Sequence, residues 1–287
     1  MAKKPLHTSP RKTKAVPKGK KRKTGGKGRK RKKTQIEVSL WIVGAVFLTL
    51  SLWTIWPYFK DGSSAEKGSI VPKGPYCYGI DVSHYQQNIQ WDSLMVLTDG
   101  ANRTIRSKLT AKDIKPVSFV FIKATEGSSM KDRDFKKNWD EAEKRKIRKG
   151  AYHFFRSSKN GEVQARHFIK TVGKISPNDL PPVLDIETIH RGCSRKTLNK
   201  RALDWLETVS NHYGRKPLVY SSAAFIEDIL CEEIKMNYPI WVAHYETEKP
   251  RYDNWNIWQF TDKAIVYGID GYTDLNVCSS EFLKSLK

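Results

Sequence analysis

The first 34 residues contain no acidic side chain, against 16 Lys and Arg, and almost no large apolar residue. Such a tract has nothing to bury and is expected to form no core of its own. No aromatic interleaves its bases, so the chain offers no pattern for a specific nucleic-acid partner. Beyond residue 34 the balance is 36 bases to 30 acids, so the formal charge of +22 belongs mainly to the tail. Only four cysteines occur, Cys77, Cys193, Cys231 and Cys278, and no two are close in sequence. That spacing leaves out zinc ribbons and Cys-x-x-Cys redox motifs. There is no Gly-x-Ser-x-Gly elbow and no tight His-x-x-x-His pair.

Charge is also missing from Val38 to Phe59. Twenty-two helical residues reach about 33 Å, enough for a bilayer core of about 30 Å. Trp41 lies near one end, and Trp53, Trp56, Tyr58 and Phe59 near the other, where interfacial aromatics belong. A cleaved signal peptide fits less well: the basic region is too long and no small-x-small site follows cleanly. We read 1–35 as a basic cytoplasmic tail, 36–59 as one transmembrane helix, 60–75 as a Gly/Ser/Lys linker and 76–287 as a single domain. The positive-inside rule then puts that domain on the extracytoplasmic side, periplasm or wall, with membrane lipid as a partner through the one span.

In 76–287, short apolar runs alternate with amphipathic stretches. Tyr78–Val82, Val117–Lys123, Ala151–Phe155, Pro182–Ile186, Leu218–Ser221, Ile240–His244 and Ile257–Phe260 read as buried strands. Asp134–Lys146, Gly161–Val172, Arg195–Tyr213 and Ala223–Leu230 have helical spacing. The alternation indicates an α/β fold with a largely parallel sheet. Seven or eight strands in one domain favour a closed TIM-like (β/α) barrel. The scarcity of helices after Ile240 predicts that its last strands are irregular.

Polar residues collect at the ends of these strands. Asp185-Ile186-Glu187 closes the fourth, and residues two apart on a strand share a face, so both carboxylates project together. Neighbouring acids oppose each other's ionisation, which suits a pair working as proton donor and charge stabiliser. Asp81-Val82-Ser83-His84-Tyr85, Lys123-Ala124-Thr125-Glu126-Gly127, Tyr152-His153-Phe154, Trp241-Val242-Ala243-His244-Tyr245 and Trp258-Gln259-Phe260 mark other strand ends. In such barrels the C-terminal strand ends carry the active site.

Taken in order with Gly150-Ala151-Tyr152-His153-Phe154-Phe155 and Asp274-Leu275-Asn276-Val277, these segments resemble the glycoside hydrolase family 25 lysozymes, over nearly all of 76–287. The resemblance implies a peptidoglycan muramidase with no metal or cofactor, net retention, and four site acids: Glu187, Asp185, Asp81 and Asp274. Glu187 would be the acid and then the base, its pKa raised by the crowd of acids. Asp185 would act at the anomeric carbon, as nucleophile or by orienting the substrate's own 2-acetamido group, and Asp81 and Asp274 would support them. Tyr85, Tyr152, Trp241 and Tyr245 are candidate sugar-binding aromatics. Gln259 stays outside the catalytic set, as a substrate contact or a strand-end hydrogen bond. Two alternatives remain open. His84, His153 and His244 with Asp81 offer ligands for a metal-dependent deacetylase, and a tethered barrel could bind glycan without cutting it. If the barrel closes first strand to last, Cys77 would meet Cys278. Cys193, after the catalytic strand, would meet Cys231, at the end of the helix after the next strand, near the loops of the active face; four free buried thiols are the alternative.

Overall fold

The computed structural model describes residues 68–286. The expected basic tail, membrane span and most of the linker lie outside the described residues. Among the described residues no helix is long and apolar enough to cross a membrane.

Among the described residues eleven strands occur: β1 (Tyr76–Val82), β2 (Met95–Thr98), β3 (Thr104–Ile105), β4 (Asp113–Glu126), β5 (Met130–Lys131), β6 (Arg148–Phe154), β7 (Val183–Asp185), β8 (Leu218–Ser222), β9 (Ile240–Ala243), β10 (Ile257–Ala264) and β11 (Thr273–Ser279). Eight of them close a barrel in the order β1-β4-β6-β7-β8-β9-β10-β11, with β11 returning to β1. Seven run parallel; β11 is antiparallel to both its neighbours. The expected irregularity is therefore real. No helix crosses between β9 and β10, and a hairpin joins β10 to β11. β2 pairs with the start of β4, and β3 pairs with β2, as a side sheet.

The helices are α1 (Phe135–Lys144), α2 (Gly161–Val172), α3 (Arg195–Tyr213), α4 (Ala223–Asp228), α5 (Glu232–Asn237) and α6 (Ser280–Ser285). The bounds of α2 and α3 coincide with the sequence reading because their ends are chemically marked. The Asn160 and Ser194 side chains accept from the backbone N–H groups of Val163 and Thr197, and glycines follow each C-terminus. α3 buries Leu198, Ala202, Trp205, Leu206 and Val209 at turn-by-turn spacing.

Period-two alternation divides each strand between two environments. On β4, Val120, Ile122 and Ala124 belong to the main core, while Phe119 and Phe121 join Val183, Leu218, Trp241 and Ile257 in a second apolar cluster. Gly79 makes room for it: a side chain there would collide with the Phe119 ring. Continuing along the strands on that same face come Lys123, Asp81, Asp185, Tyr220, Gln259 and Asp274, which line one cleft. An apolar plug thus lies beneath a polar mouth.

The cysteine pairing needs correction. β1 does lie beside β11, and Cys77 stands directly opposite Cys278. All four cysteines are nonetheless free. Directly opposed residues on antiparallel strands keep their Cβ atoms ~4.5–5.5 Å apart, wider than the ~3.8 Å typical of a disulfide. Burial, and then Cys77 opposite, pushes the Cys278 thiol up to about 12. Cys193 instead donates from Sγ to the Ser157 carbonyl at 3.2 Å.

Candidate active site

The four acids read from the sequence meet in one cleft of about 310 Å³ at the C-terminal ends of the parallel strands. Asp81 is the penultimate residue of β1, and Asp274 lies opposite it on β11. β11 is antiparallel, so its beginning, not its end, faces the mouth. Asp185 ends β7, and Glu187 follows on the outgoing chain. Asp185 is buried, whereas Glu187 is exposed at the opening.

Asp81 is held most firmly. Its Oδ2 accepts from Gln259 Nε2 at 2.9 Å and from Asn276 Nδ2 at 2.8 Å. Each donor is itself fixed. Gln259 Oε1 accepts from the Tyr220 hydroxyl at 2.8 Å and from the Tyr245 hydroxyl. Asn276 Oδ1 accepts from Trp241 Nε1 at 2.9 Å. This network ties β1, β8, β9, β10 and β11 to a single carboxylate. Gln259 is therefore a structural hydrogen-bond hub.

Burial pushes three of the acids upward. Asp274 rises to about 9, through burial first and then through the charge of Asp81 and the hydrogen bond between them. Asp81 also rises through burial, with Asn276, Gln259 and Asp274 opposing the rise by hydrogen bonding. Asp185 is pushed well above the carboxylate range by burial, then by the adjacent Glu187 charge and their hydrogen bond; Lys123 works the other way. Asp81 and Asp274 thus hold a proton between them at neutral pH. The Asp185 Oδ1 atom is buried with no hydrogen-bond partner among the described residues.

The four expected aromatics all line the cleft, in different ways. Tyr85 is 76% exposed at the rim and Tyr245 is 36% exposed. Tyr152 is half-buried on the wall. Trp241 is buried, packed 4.7 Å from the Phe121 ring and 4.8 Å from the Tyr220 ring. It forms the floor rather than an open platform. The sequence reading gave no role to three neighbours: Asn276 and Lys123, quoted within its motifs, and Tyr220. Tyr220 was accessible to simple alternation, lying two residues beyond Leu218 on the same strand face; Asn276 lies two residues beyond Asp274 on β11. Lys123 Nζ is paired with Glu126 at 2.8 Å.

The histidines do not converge. His153 lies behind the sheet, bonded to Thr125 Oγ1 at 2.7 Å and to Gln164, and stacked on Trp205. Burial drives its pKa down to about 3. His84 Nδ1 is 2.6 Å from Asp132, and His244 Nδ1 accepts from the Arg251 backbone at 2.9 Å. Each ring serves its own partner, so the donor set of the metal alternative is not assembled around Asp81.

Known proteins share this fold. Residues 80–269 match the family described as Glycosyl hydrolases family 25. The chain belongs to glycosyl hydrolase family 25. Within the family's reach lies YegX of Escherichia coli K12, an uncharacterized protein 39% identical over 210 residues, covering 72% of this chain and 71% of that one. Lysozyme M1 of Streptomyces globisporus is 31% identical over 212 residues, 69% of this chain and 66% of that protein. A family 25 glycosyl hydrolase of Bacillus anthracis superposes with a TM-score of 0.61 at 31% identity, over 75% of this chain and 96% of its own.

Proposed function

We propose that this family 25 chain is a peptidoglycan muramidase that hydrolyses the β-1,4 bond between N-acetylmuramic acid and N-acetylglucosamine with net retention. The observation that carries this reading is the meeting of Asp81, Asp185, Glu187 and Asp274 in one cleft lined by aromatics. Glu187, exposed at the opening, gives its proton to the glycosidic oxygen as the C1–O bond breaks. Asp185 below it meets the reaction centre. Its unpartnered Oδ1 favours the orienting role: it accepts the N–H of the 2-acetamido group, whose oxygen closes on the anomeric carbon. Water then opens that intermediate from the face the leaving group left, with Glu187 taking its proton, which restores the original anomeric configuration. Asp274 donates to Asp81, and the pair keeps the back of the cleft hydrogen-bonded and singly charged.

The same proposal includes the setting. One helix over 36–59 anchors the chain, the basic tail stays in the cytoplasm, and the barrel works on the wall side. The support is the uncharged 22-residue run after a tail without acids. A tether limits reach, which suits turnover or remodelling of the cell's own wall. The deciding experiment is mass spectrometry of purified peptidoglycan after digestion. New reducing ends on muramic acid are expected; reducing ends on N-acetylglucosamine, or deacetylated products, would refute the assignment.

A further inference from the structure

A second, larger groove of about 1040 Å³ opens beside the catalytic cleft, and Tyr245 lines both. One wall is a strap, residues 68–73, that precedes the family match beginning at residue 80. The strap is seated firmly. The Thr104 backbone N–H donates to the Ser69 carbonyl at 2.9 Å, and that of Val71 donates to the Asn102 carbonyl at 2.9 Å. Asn102 Nδ2 returns a bond to the Val71 carbonyl at 2.7 Å, and Arg103 Nη1 donates to the Gly68 carbonyl at 2.9 Å. Val71 is buried, and a side chain at Gly68 would collide with Thr104.

The groove carries both signs of charge: Lys73, Arg103 and Lys263, with Glu246, Glu248 and Asp262. None of the six forms an ion pair among the described residues. Neutral sugar rings have no use for six unpaired charges. A peptide bearing carboxylates and a diamino-acid amine uses both signs. In peptidoglycan such a peptide hangs from the lactyl ether of muramic acid, so it leaves the catalytic cleft beside the sugar being cut. We propose that this groove binds the stem peptide of the substrate and makes the enzyme prefer stem-bearing glycan. The inference rests on the muramidase reading above.

The test compares the full chain on two substrates: purified peptidoglycan with intact stems, and glycan strands stripped of stems by an amidase. The variants are the double charge reversal Lys73→Glu/Lys263→Glu and, independently, Gly68→Val, which lifts the strap. The wild-type enzyme is expected to prefer stem-bearing strands. In either variant kcat/KM on them should fall about tenfold, the scale of a few solvent-screened charge contacts, with stripped strands cut as before. A labelled free stem peptide should also bind the wild type more tightly than the double variant. Equal rates of the wild type on both substrates, or an equal loss on both in the variants, would overturn the groove proposal and leave the muramidase reading standing. Failure of the wild type to cut either substrate would overturn both.

Discussion

Replacing Gln259 by methionine keeps the length of the side chain and removes its hydrogen bonding. Three bonds disappear: the donation to Asp81 Oδ2 at 2.9 Å and the acceptance from the hydroxyls of Tyr220 and Tyr245. A hydrogen bond to a charged group contributes about 1.5–3 kcal/mol, and a stranded buried hydroxyl costs about 1 kcal/mol or more. Tyr245 is 36% exposed, so its hydroxyl turns to water at little cost. The total is about 3 kcal/mol, which for a domain of this size lowers Tm by roughly 6–12 °C. Catalysis should change in a characteristic direction. An N–H donor to Asp81 favours its ionised form, so losing it moves Asp81 further up, and the acidic limb of the kcat/KM profile moves to higher pH. Tyr245→Phe is the control: it removes one bond to the same hub but leaves the donor to Asp81, so the acidic limb should stay in place. The assays are thermal melts and pH–rate profiles on purified peptidoglycan. A Gln259→Met protein melting within about 2 °C of wild type, with an unmoved acidic limb, would refute the idea that this network sets the state of Asp81.

Four other outcomes are expected. Glu187→Gln keeps the shape and removes the proton donor, so kcat should fall about 10²–10⁴-fold in a peptidoglycan-clearing assay; near-normal turnover would remove Glu187 from the acid role. Asp274→Asn should stabilise the protein while slowing it: the folded carboxyl titrates at about 9 against an ordinary 3.8, so its contribution to stability is full only below the ordinary value and is lost as pH rises through 9. At pH 7 the wild-type residue therefore costs on the order of a few kcal/mol, and chemical denaturation of the two proteins measures the gain. His153 has the opposite sign: its folded pKa of about 3 lies below the ordinary 6.5, so its contribution is full above 6.5 and fades as pH falls. Urea melts should show about 2 kcal/mol lost between pH 7 and pH 5 in wild type, and a correspondingly flatter slope in His153→Leu. For the proposed anchor, protease added to spheroplasts should remove the barrel and spare the basic tail; protection of the barrel would sink the topology.

Much of this protein was legible in one dimension because its signals are local. The α2 and α3 helices carry caps and glycine stops beside their apolar faces, and the parallel strands β4, β6, β8 and β9 are short apolar runs. The family and the four acids were legible too, since each strand-end motif is contiguous in the chain. The strand β11 was not recognised as one. Its cleft-facing positions are Asp274 and Asn276, so its alternation runs polar within, and only its place between β10 and β1 turns that pattern into a strand. Burial separated residues that look alike in sequence. Trp241 became floor while Tyr85 stayed at the rim, and His153 turned to the helix layer while His84 found Asp132. The cysteines show the same limit: adjacency of β1 and β11 followed from closure, but whether two opposed thiols join depends on a fraction of an ångström that no spacing encodes. Sequence determined which groups the chain carries and the period that sends them to one face. Tertiary structure decided which acids share a proton, because a pKa depends on distances and burial across strands up to nearly 200 residues apart.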